Sequence, residues 1–421
     1  MDIYYDTTQT FIERLRGPSI ASGMERVVHS WARSVSNNGG SLVTGLSRKW
    51  ADEVIDSEPS FAWITQGSFL TGPERQQFPI LRKMLRKSGR RQDLAWRAVR
   101  AAAFRGAERA SRKGIESLFK SHGQTDDFIY HCPFPEVLPD SLPKNCIPVI
   151  NVYDIMPWVF RDTYSKTARN RFEAMLKAVK HHRGHIIVNS RDTKHSLVCF
   201  FNLDSTRIHV VPLGSDVSFN AETGARIDQT ETDRPFLLYV AGSGQRRKNV
   251  AGTIRGFARF LETSGVEADL IIVGGGTDAF QDYANQLVPA SKGEVRCLGQ
   301  VDGETLGRFY EQARIGLYLS LYEGFGLPIL EYMHRGLPVV CGDATSLPEV
   351  AGSVAIMVDA MDAESVANGI SSLWHDPRIR EQAIVAGRAR ASEFTWENSS
   401  RRLHETYKKI FNIDKGASQP A

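Results

Sequence analysis

From Phe236 to Val358, short apolar runs alternate with stretches whose apolar residues recur at helical spacing, the alternation that a doubly wound parallel sheet requires. Strands are expected at Phe236–Val240, Asp269–Gly274, Val295–Leu298, Ile315–Leu319, Pro338–Cys341 and Val354–Val358. Between the first two, Ile254, Phe257, Ala258 and Leu261 mark a helix with one buried face. The N-terminal half repeats the pattern less regularly, with strands expected near Ile3–Tyr5, Ser41–Thr44, Phe61–Ile64, Phe128–Tyr130, Pro148–Val152, His185–Asn189 and Ile208–Val211. Its first helix carries the stripe Met24, Val27, Val28 and Trp31. A chain of 421 residues exceeds what one core holds. Ser215–Arg234, polar and without either period, reads as the linker. The expected organisation is an α/β domain over 1–214, a linker over 215–234, a second α/β domain over 235–395 and a terminal helix and tail over 396–421, with the two domains facing across a cleft between strand C-termini.

Charge and cysteine content narrow the setting. The N-terminal residues lack the basic start and apolar core of a signal peptide, and no run reaches the ~18 apolar residues of a membrane span, so a cytoplasmic protein is expected. Five scattered cysteines without a Cys-x-x-Cys pair argue against a disulfide frame or zinc cluster and read as small buried residues. The net charge of +4 hides a basic window, 74–120, with 14 Lys/Arg against four acids. Apolar residues at helical spacing inside it suggest basic amphipathic helices, suited either to an anionic membrane surface or to plain solvation. Without a nucleic-acid-binding motif beside that charge, no nucleic-acid partner is expected.

The densest chemistry lies in Leu-Tyr-Glu-Gly-Phe-Gly-Leu-Pro-Ile-Leu-Glu, 321–331. Pro328 suits the first turn of a helix over about 328–335, and Gly336 the residue past its end. Gly324 and Gly326 allow tight turning and close approach of a diphosphate to the helix start. A carboxylate accepts from two neighbouring hydroxyls, so Glu331 fits a ribose diol and Glu323 a hexose hydroxyl; a surface turn capped by acids is the plain alternative. After the strand from Phe236, Arg247 and Lys248 are placed to neutralise a diphosphate and Asn249 to cap the next helix. Gly274–Gly276 reads as a structural turn. In the first domain, Gly23 opens the first helix and permits close approach to a phosphate or the transferred sugar, while Asp154 either meets an acceptor hydroxyl or caps the turn before Pro157. The tract His181–His185 lacks the glutamate of a metal motif and reads as a basic helix end. No Asp-x-Asp occurs, so the cations and helix N-termini are expected to do a divalent ion's work, with no metal or other cofactor.

The 321–331 run, followed by Gly-Leu-Pro-Val-Val (336–340) and Ser-Leu-Pro-Glu-Val-Ala-Gly (346–352), resembles the family-4 glycosyltransferases of the GT-B fold. The resemblance extends through Arg-Arg-Lys-Asn (246–249), Val-Asp-Gly-Glu-Thr-Leu (301–306), Val-Asn-Ser-Arg-Asp-Thr (188–193), Val-Val-Pro-Leu-Gly (210–214) and Phe-Thr-Trp (394–396). It covers roughly 145–411, and Asp6 with Ser22–Val27 is similar to bacterial mannosyltransferase-like members that build surface polysaccharides. It implies transfer with retention of anomeric configuration from a nucleotide diphosphate sugar. In that picture Glu331 binds the ribose, Glu323 with the backbone of Gly324, Phe325, Gly326 and Leu327 meets the sugar and phosphates, and Arg247 and Lys248 hold the diphosphate. Val301 would sit by the base, and Gly23 would reach the phosphate from the first domain. This chain has Tyr153-Asp154 where the family has His-Asp. The terminal helix, about 396–411, is expected to cross back to the first domain. The implied function is a hexosyltransferase of polysaccharide synthesis (O-antigen or capsule), GDP-mannose being the first donor considered. A lipid-linked or oligosaccharide acceptor would be met at the inner membrane surface. A transferase with a soluble small-molecule acceptor and a non-catalytic nucleotide-sugar-binding subunit are the alternatives.

Overall fold

The structure is a computed structural model that describes residues 1–7, 23–47, 69–72, 113–120, 126–133, 138, 141–215 and 234–417. They fall into two units. The first comprises Met1–Val188, Lys194–Val211 and Ser400–Ala421, the second Asn189–Thr193 and Pro212–Ser399.

The first unit is built on a parallel sheet of strands β1 (Asp2–Asp6), β2 (Ser41–Ser47), β3 (Phe69–Gly72), β4 (Phe128–Cys132), β5 (Cys146–Val152), β6 (His185–Val188) and β7 (Ile208–Val210), in the order β3-β2-β1-β4-β5-β6-β7. Residues 128–133 and 146–152 are buried except for half-buried Cys146, because crossover helices cover both faces of a parallel sheet. Helix Gly23–Asn37 buries Val27, Val28 and Trp31 as its stripe requires. The expected strand Phe61–Ile64, most of the basic window (74–112) and nearly all of the linker (216–233) lie outside the described residues, whereas 113–120 is helical. Strand β3, not anticipated, is only four residues long and ends on Gly72, too short to show a period.

The second unit holds β8 (Phe236–Ser243), β9 (Asp269–Gly275), β10 (Val295–Cys297), β11 (Ile315–Tyr318), β12 (Val339–Gly342) and β13 (Ile356–Val358), in the order β10-β9-β8-β11-β12-β13, all parallel. Chain order reverses between neighbouring β8 and β11. Phe236, Leu237, Leu238 and Tyr239 are buried, and a fully buried large apolar side chain contributes about 1.5–3 kcal/mol. Helix Val250–Ser264 buries Ile254, Phe257, Ala258 and Leu261. Gly274 is structural: at φ +150° it lies so close to β8 that a Cβ would stand 2.7 Å from the Gly242 nitrogen. The last helix runs Trp396–Ala417, longer than expected, and from Ser400 onward it belongs to the first unit.

The tract at His181 ends helix Lys166–His181 and leads into β6, as its sequence suggested. The cysteines need a correction: Cys132, Cys297 and Cys341 are buried, but Cys146 is half-buried and Cys199 exposed. Cys199 lies two residues before the end of its helix, past the turn that buries Ser196 and Leu197.

Candidate active site

Arg247 and Lys248 lie in one 3₁₀ turn, Arg246–Lys248, directly after β8. Glu323 lies on the loop after β11. These loops leave the two strands between which chain order reverses, the switch point at whose carboxyl edge open α/β sheets bind ligands. One carboxylate oxygen, Glu323 Oε1, accepts from Lys248 Nζ at 2.6 Å and from Arg247 Nη1 at 2.9 Å. Lys248 Nζ also donates to Tyr318 Oη at 3.3 Å. Lys248 and Glu323 are each only 7% exposed, so these charges are nearly out of water. Burial alone raises the Glu323 carboxyl, but the Lys248 and Arg247 charges outweigh it and hold the group below the ordinary carboxylate range. Burial likewise pushes the Lys248 ammonium down, Glu323 opposing and Arg247 adding to the shift. Two cations against one carboxylate leave the cluster net positive and preorganised.

The loop carrying Glu323 is fixed from several sides. Its N–H donates to Thr345 Oγ1 at 3.0 Å, and Thr345 Oγ1 donates back to the Glu323 carbonyl at 3.0 Å. Ser346 Oγ reaches the carbonyls of Glu323 and Phe325, both at 2.9 Å. Thr345 holds φ at 51°, a conformation that costs a β-branched residue roughly 1–3 kcal/mol and persists because its neighbours over-determine it. On the opposite side, Leu321 N–H donates to the Arg247 carbonyl at 2.7 Å, and Tyr239 Oη donates to the Lys248 carbonyl. Asn249 corrects the expectation of a helix cap. It stands at the N-cap position with φ 52°, but its amide donates to the carbonyls of Leu319 (3.2 Å) and Ala360 (2.8 Å), tying this turn to the loops after β11 and β13.

Gly324, Phe325 and Gly326 are buried and lead into helix Leu327–His334. Gly326 is its N-cap at φ +117°, which only glycine adopts readily, and Pro328 lies in the first turn. At the other end, Gly336 N–H bonds the Met333 carbonyl and Leu337 N–H the Tyr332 carbonyl, closing a Schellman motif. The first N–H groups of such a helix have no intrahelical partner and favour an anion. Glu331, one turn in and 8% exposed, accepts from Tyr310 Oη at 2.8 Å. Tyr310 rides on helix Gly303–Gln312, which starts two residues after half-buried Val301. Arg247, Lys248, Val301, Glu323–Leu327 and Glu331 therefore all lie in the second unit, and Gly23 and Asp154 in the first.

In the first unit Gly23 is the first residue of its helix. Asp154, half-buried after β5, accepts from the Met156 N–H at 2.8 Å, a capping arrangement. Beside it lies a network that the sequence did not reveal. Tyr153 Oη accepts from Asn151 Nδ2 at 2.7 Å, Asn151 Oδ1 meets His131 Nε2 at 2.8 Å, and His131 Nδ1 meets Tyr407 Oη at 2.5 Å. Because Asn151 Oδ1 can only accept, His131 carries its hydrogen on Nε2 and takes one from Tyr407. Burial pushes the His131 imidazole down to about 4, so it is neutral.

The family described as "Glycosyl transferases group 1" matches residues 223–390. "O-antigen chain mannosyltransferase B" of Escherichia coli is 31% identical over 293 residues, spanning 68% of this chain and 75% of the relative. The chain belongs to the group 1 glycosyltransferases. "O-antigen chain mannosyltransferase RfbU" of Salmonella typhimurium is 28% identical over 232 residues, 54% of this chain and 61% of that one. Among solved structures, sucrose-phosphate synthase from Thermosynechococcus elongatus superposes with a TM-score of 0.64 over 98% of this chain and 100% of its own, at 16% identity, a likeness of fold. The two parallel-sheet domains of this glycosyltransferase are thus those of the GT-B architecture. What motif reading missed in it are the supports: Tyr310, Tyr318, Thr345 and Asn249's carbonyl partners. Tyr310 sits at helical spacing and reads as core, whereas Ser346 was visible as the first residue of the 346–352 motif.

Proposed function

We propose that this glycosyltransferase moves a hexose, with retention, from a nucleotide diphosphate sugar to a hydroxyl of a lipid-linked or oligosaccharide acceptor in bacterial polysaccharide synthesis. GDP-mannose is the first donor to test, supported by the names of the two relatives, which are both O-antigen chain mannosyltransferases. The observation that carries the donor reading is the buried Lys248–Glu323 pair with half-buried Arg247 at the switch point. Cations out of water stabilise the charge that grows on the leaving diphosphate oxygen more than solvated ones would. Glu323 aligns both cations before the donor arrives and keeps lone pairs for a sugar hydroxyl. Glu331, oriented by Tyr310, takes the ribose diol, and Val301 lies by the base. In the first unit, Asp154 is assigned to an acceptor hydroxyl. No side chain need become a covalent nucleophile. The acceptor hydroxyl attacks on the face the diphosphate leaves, and its proton passes to the leaving phosphate oxygen.

The test is transfer from GDP-mannose, UDP-glucose and dTDP-rhamnose to a lipid-linked acceptor in EDTA, with the product's anomeric configuration read by NMR. One donor used with retention, and turnover lowered about 10²–10³-fold in Lys248→Ala, is expected. An inverted product or wild-type turnover in that variant contradicts the mechanism. Donor binding without turnover over any acceptor would favour the non-catalytic subunit.

A further inference from the structure

Beside the loop that carries Glu323, the second unit holds a cavity of about 670 Å³, within the range of about 300–1,000 Å³ usual for small-molecule sites. Leu321 of the loop after β11, Asp343 and Ala344 of the loop after β12, and Met357, Asp359 and Met361 at and beyond the end of β13 line it. All its lining residues belong to the second unit, and none assigned to the donor is among them. Hydrogen bonds hold the walls. Asp343 N–H donates to the Val358 carbonyl at 3.0 Å, Asp359 N–H to Ser365 Oγ at 3.1 Å, and Met361 N–H to Asp359 Oδ1 at 2.8 Å. The walls are also tied to the reacting centre. Leu321 stands two residues before Glu323, and Ala344 directly precedes Thr345, whose hydroxyl bonds the Glu323 backbone in both directions. Asn249, next to Lys248, donates to the carbonyls of Leu319 and Ala360.

The lining carries two carboxylates and no Lys, Arg or His. A diphosphate would be repelled there, so the cavity does not extend the donor's anion site. A carboxylate accepts from two neighbouring hydroxyls, as a polyhydroxyl ring requires. Leu321, Met357 and Met361, the last 63% exposed, give the C–H face of such a ring an apolar and adaptable wall. That wall is of no use to a hydrated divalent ion, and among the described residues no group of His, Cys, Asp or Glu is placed to hold one. Position then selects among neutral sugars. An acceptor hydroxyl must come within about 3–3.5 Å of the anomeric carbon of the hexose held at Glu323. The sugar that bears this hydroxyl sits against the Glu323 loop, and the cavity walls at Leu321 and Ala344 lie within reach of the next sugar along.

We propose that the cavity between the loops after β11, β12 and β13 binds an uncharged sugar unit of the acceptor, adjacent to the unit that receives the hexose. The inference rests on the transfer reading and adds the acceptor's class, a glycan of at least two sugars. Asp343 and Asp359 take the hydroxyls of the bound unit, and Met361 covers its apolar face. The Asn249 bonds join the floor of this cavity to the turn that carries Lys248.

The experiment is calorimetric titration of the full chain, in EDTA and without donor, with an α-linked mannobiose, maltose and diacetylchitobiose, each beside the methyl glycoside of its single sugar. At least one disaccharide should bind about tenfold more tightly than its methyl glycoside. Asp343→Asn with Asp359→Asn keeps side-chain shape and an acceptor for the Met361 N–H but removes both charged acceptors, and should lower that affinity about tenfold. Met361→Ser, at a largely exposed position, should weaken it in the same direction. Both variants should unfold at the wild-type temperature and keep the wild-type affinity for nucleoside diphosphates, which separates this cavity from the donor site. Failure of the transfer reading would show differently, as disaccharide binding that depends on these residues without transfer from any nucleotide sugar. No binding of any disaccharide, equal affinity for disaccharide and methyl glycoside, or binding of trilysine in their place would overturn the proposal. So would disaccharide binding that survives these variants but disappears in Asp154→Ala.

Discussion

The two sheets share one winding rule but furnish their carboxyl edges oppositely. In the second unit the edge carries full charges, with Arg247 and Lys248 on one oxygen of Glu323. In the first it carries, among the described residues, no cation pair but uncharged polar groups, Tyr153, Asn151, a His131 kept uncharged by burial and Tyr407 from the terminal helix, beside the carboxyl groups of Asp154 and of Asp6, which accepts from Tyr130 Oη at 2.5 Å. An edge with a desolvated cation suits an anion that arrives with its own charge, and an edge of hydroxyl, amide and carboxyl groups suits a sugar hydroxyl. The difference also separates how each unit holds together. One depends on charge balance, the other on protons staying where they are.

That contrast can be broken at four places. The largest effect should come from Glu323→Gln, which leaves buried Lys248 and half-buried Arg247 without their counter-charge. A loss of about 3–5 kcal/mol is expected in urea unfolding of the second unit, and a loss below 1 kcal/mol would mean that the charges are not desolvated. Next is acid. Below pH 6.5 an unfolded histidine takes up a proton that folded His131 refuses until about pH 4. Stability of the first unit should therefore fall as pH drops through that window, by about 3 kcal/mol in all. His209, pushed down to about 3 by burial and by neighbouring His185, adds in the same direction. Hydrogen exchange at pH 7 and pH 5 should show the first unit loosening while the second, held by Glu323 in its ionised form, keeps its protection. Equal loosening would erase the contrast.

A smaller effect is expected from Tyr130→Phe, which removes a donor from buried Asp6 and should cost roughly 1–3 kcal/mol by thermal unfolding. The smallest is Asp154→Ala. Loss of its bond to the Met156 N–H should cost about 1 kcal/mol. A fall in turnover beyond what that local loss explains, at unchanged donor affinity, would assign Asp154 to the acceptor, whereas unchanged turnover would leave it as a cap alone.

How far the sequence reaches follows the same division. Strands such as Phe236–Ser243 were legible because a parallel strand buried on both faces reads as a continuous apolar run. Their ends were less so: β8 extends to Ser243 and β13 begins at Ile356, where glycines and loop residues hide the boundary. Glu323, Glu331, Arg247 and Lys248 could be singled out by motif and by position after strands. Their pairing could not. The Glu323–Arg247 contact joins residues 76 apart and exists because β8 and β11 are neighbours in the sheet. Asn249 shows the cost of local reasoning: proximity to a helix start suggests a cap, but sheet order delivers the Leu319 and Ala360 carbonyls to its amide instead. The network of His131, Asn151, Tyr153 and Tyr407 draws on β4, β5, the segment just after β5 and the last helix, and no spacing along the chain announces it.

The most direct measurement is calorimetric binding of GDP, UDP and dTDP, each beside its nucleoside without phosphates, to the wild type and to Lys248→Gln in EDTA. If the cluster is the diphosphate site, one nucleotide should bind the wild type at least tenfold more tightly than it binds the variant, while the weak affinity of the bare nucleoside stays the same in both. Equal diphosphate affinity for wild type and variant would contradict the assignment of the Arg247–Lys248–Glu323 cluster to the donor.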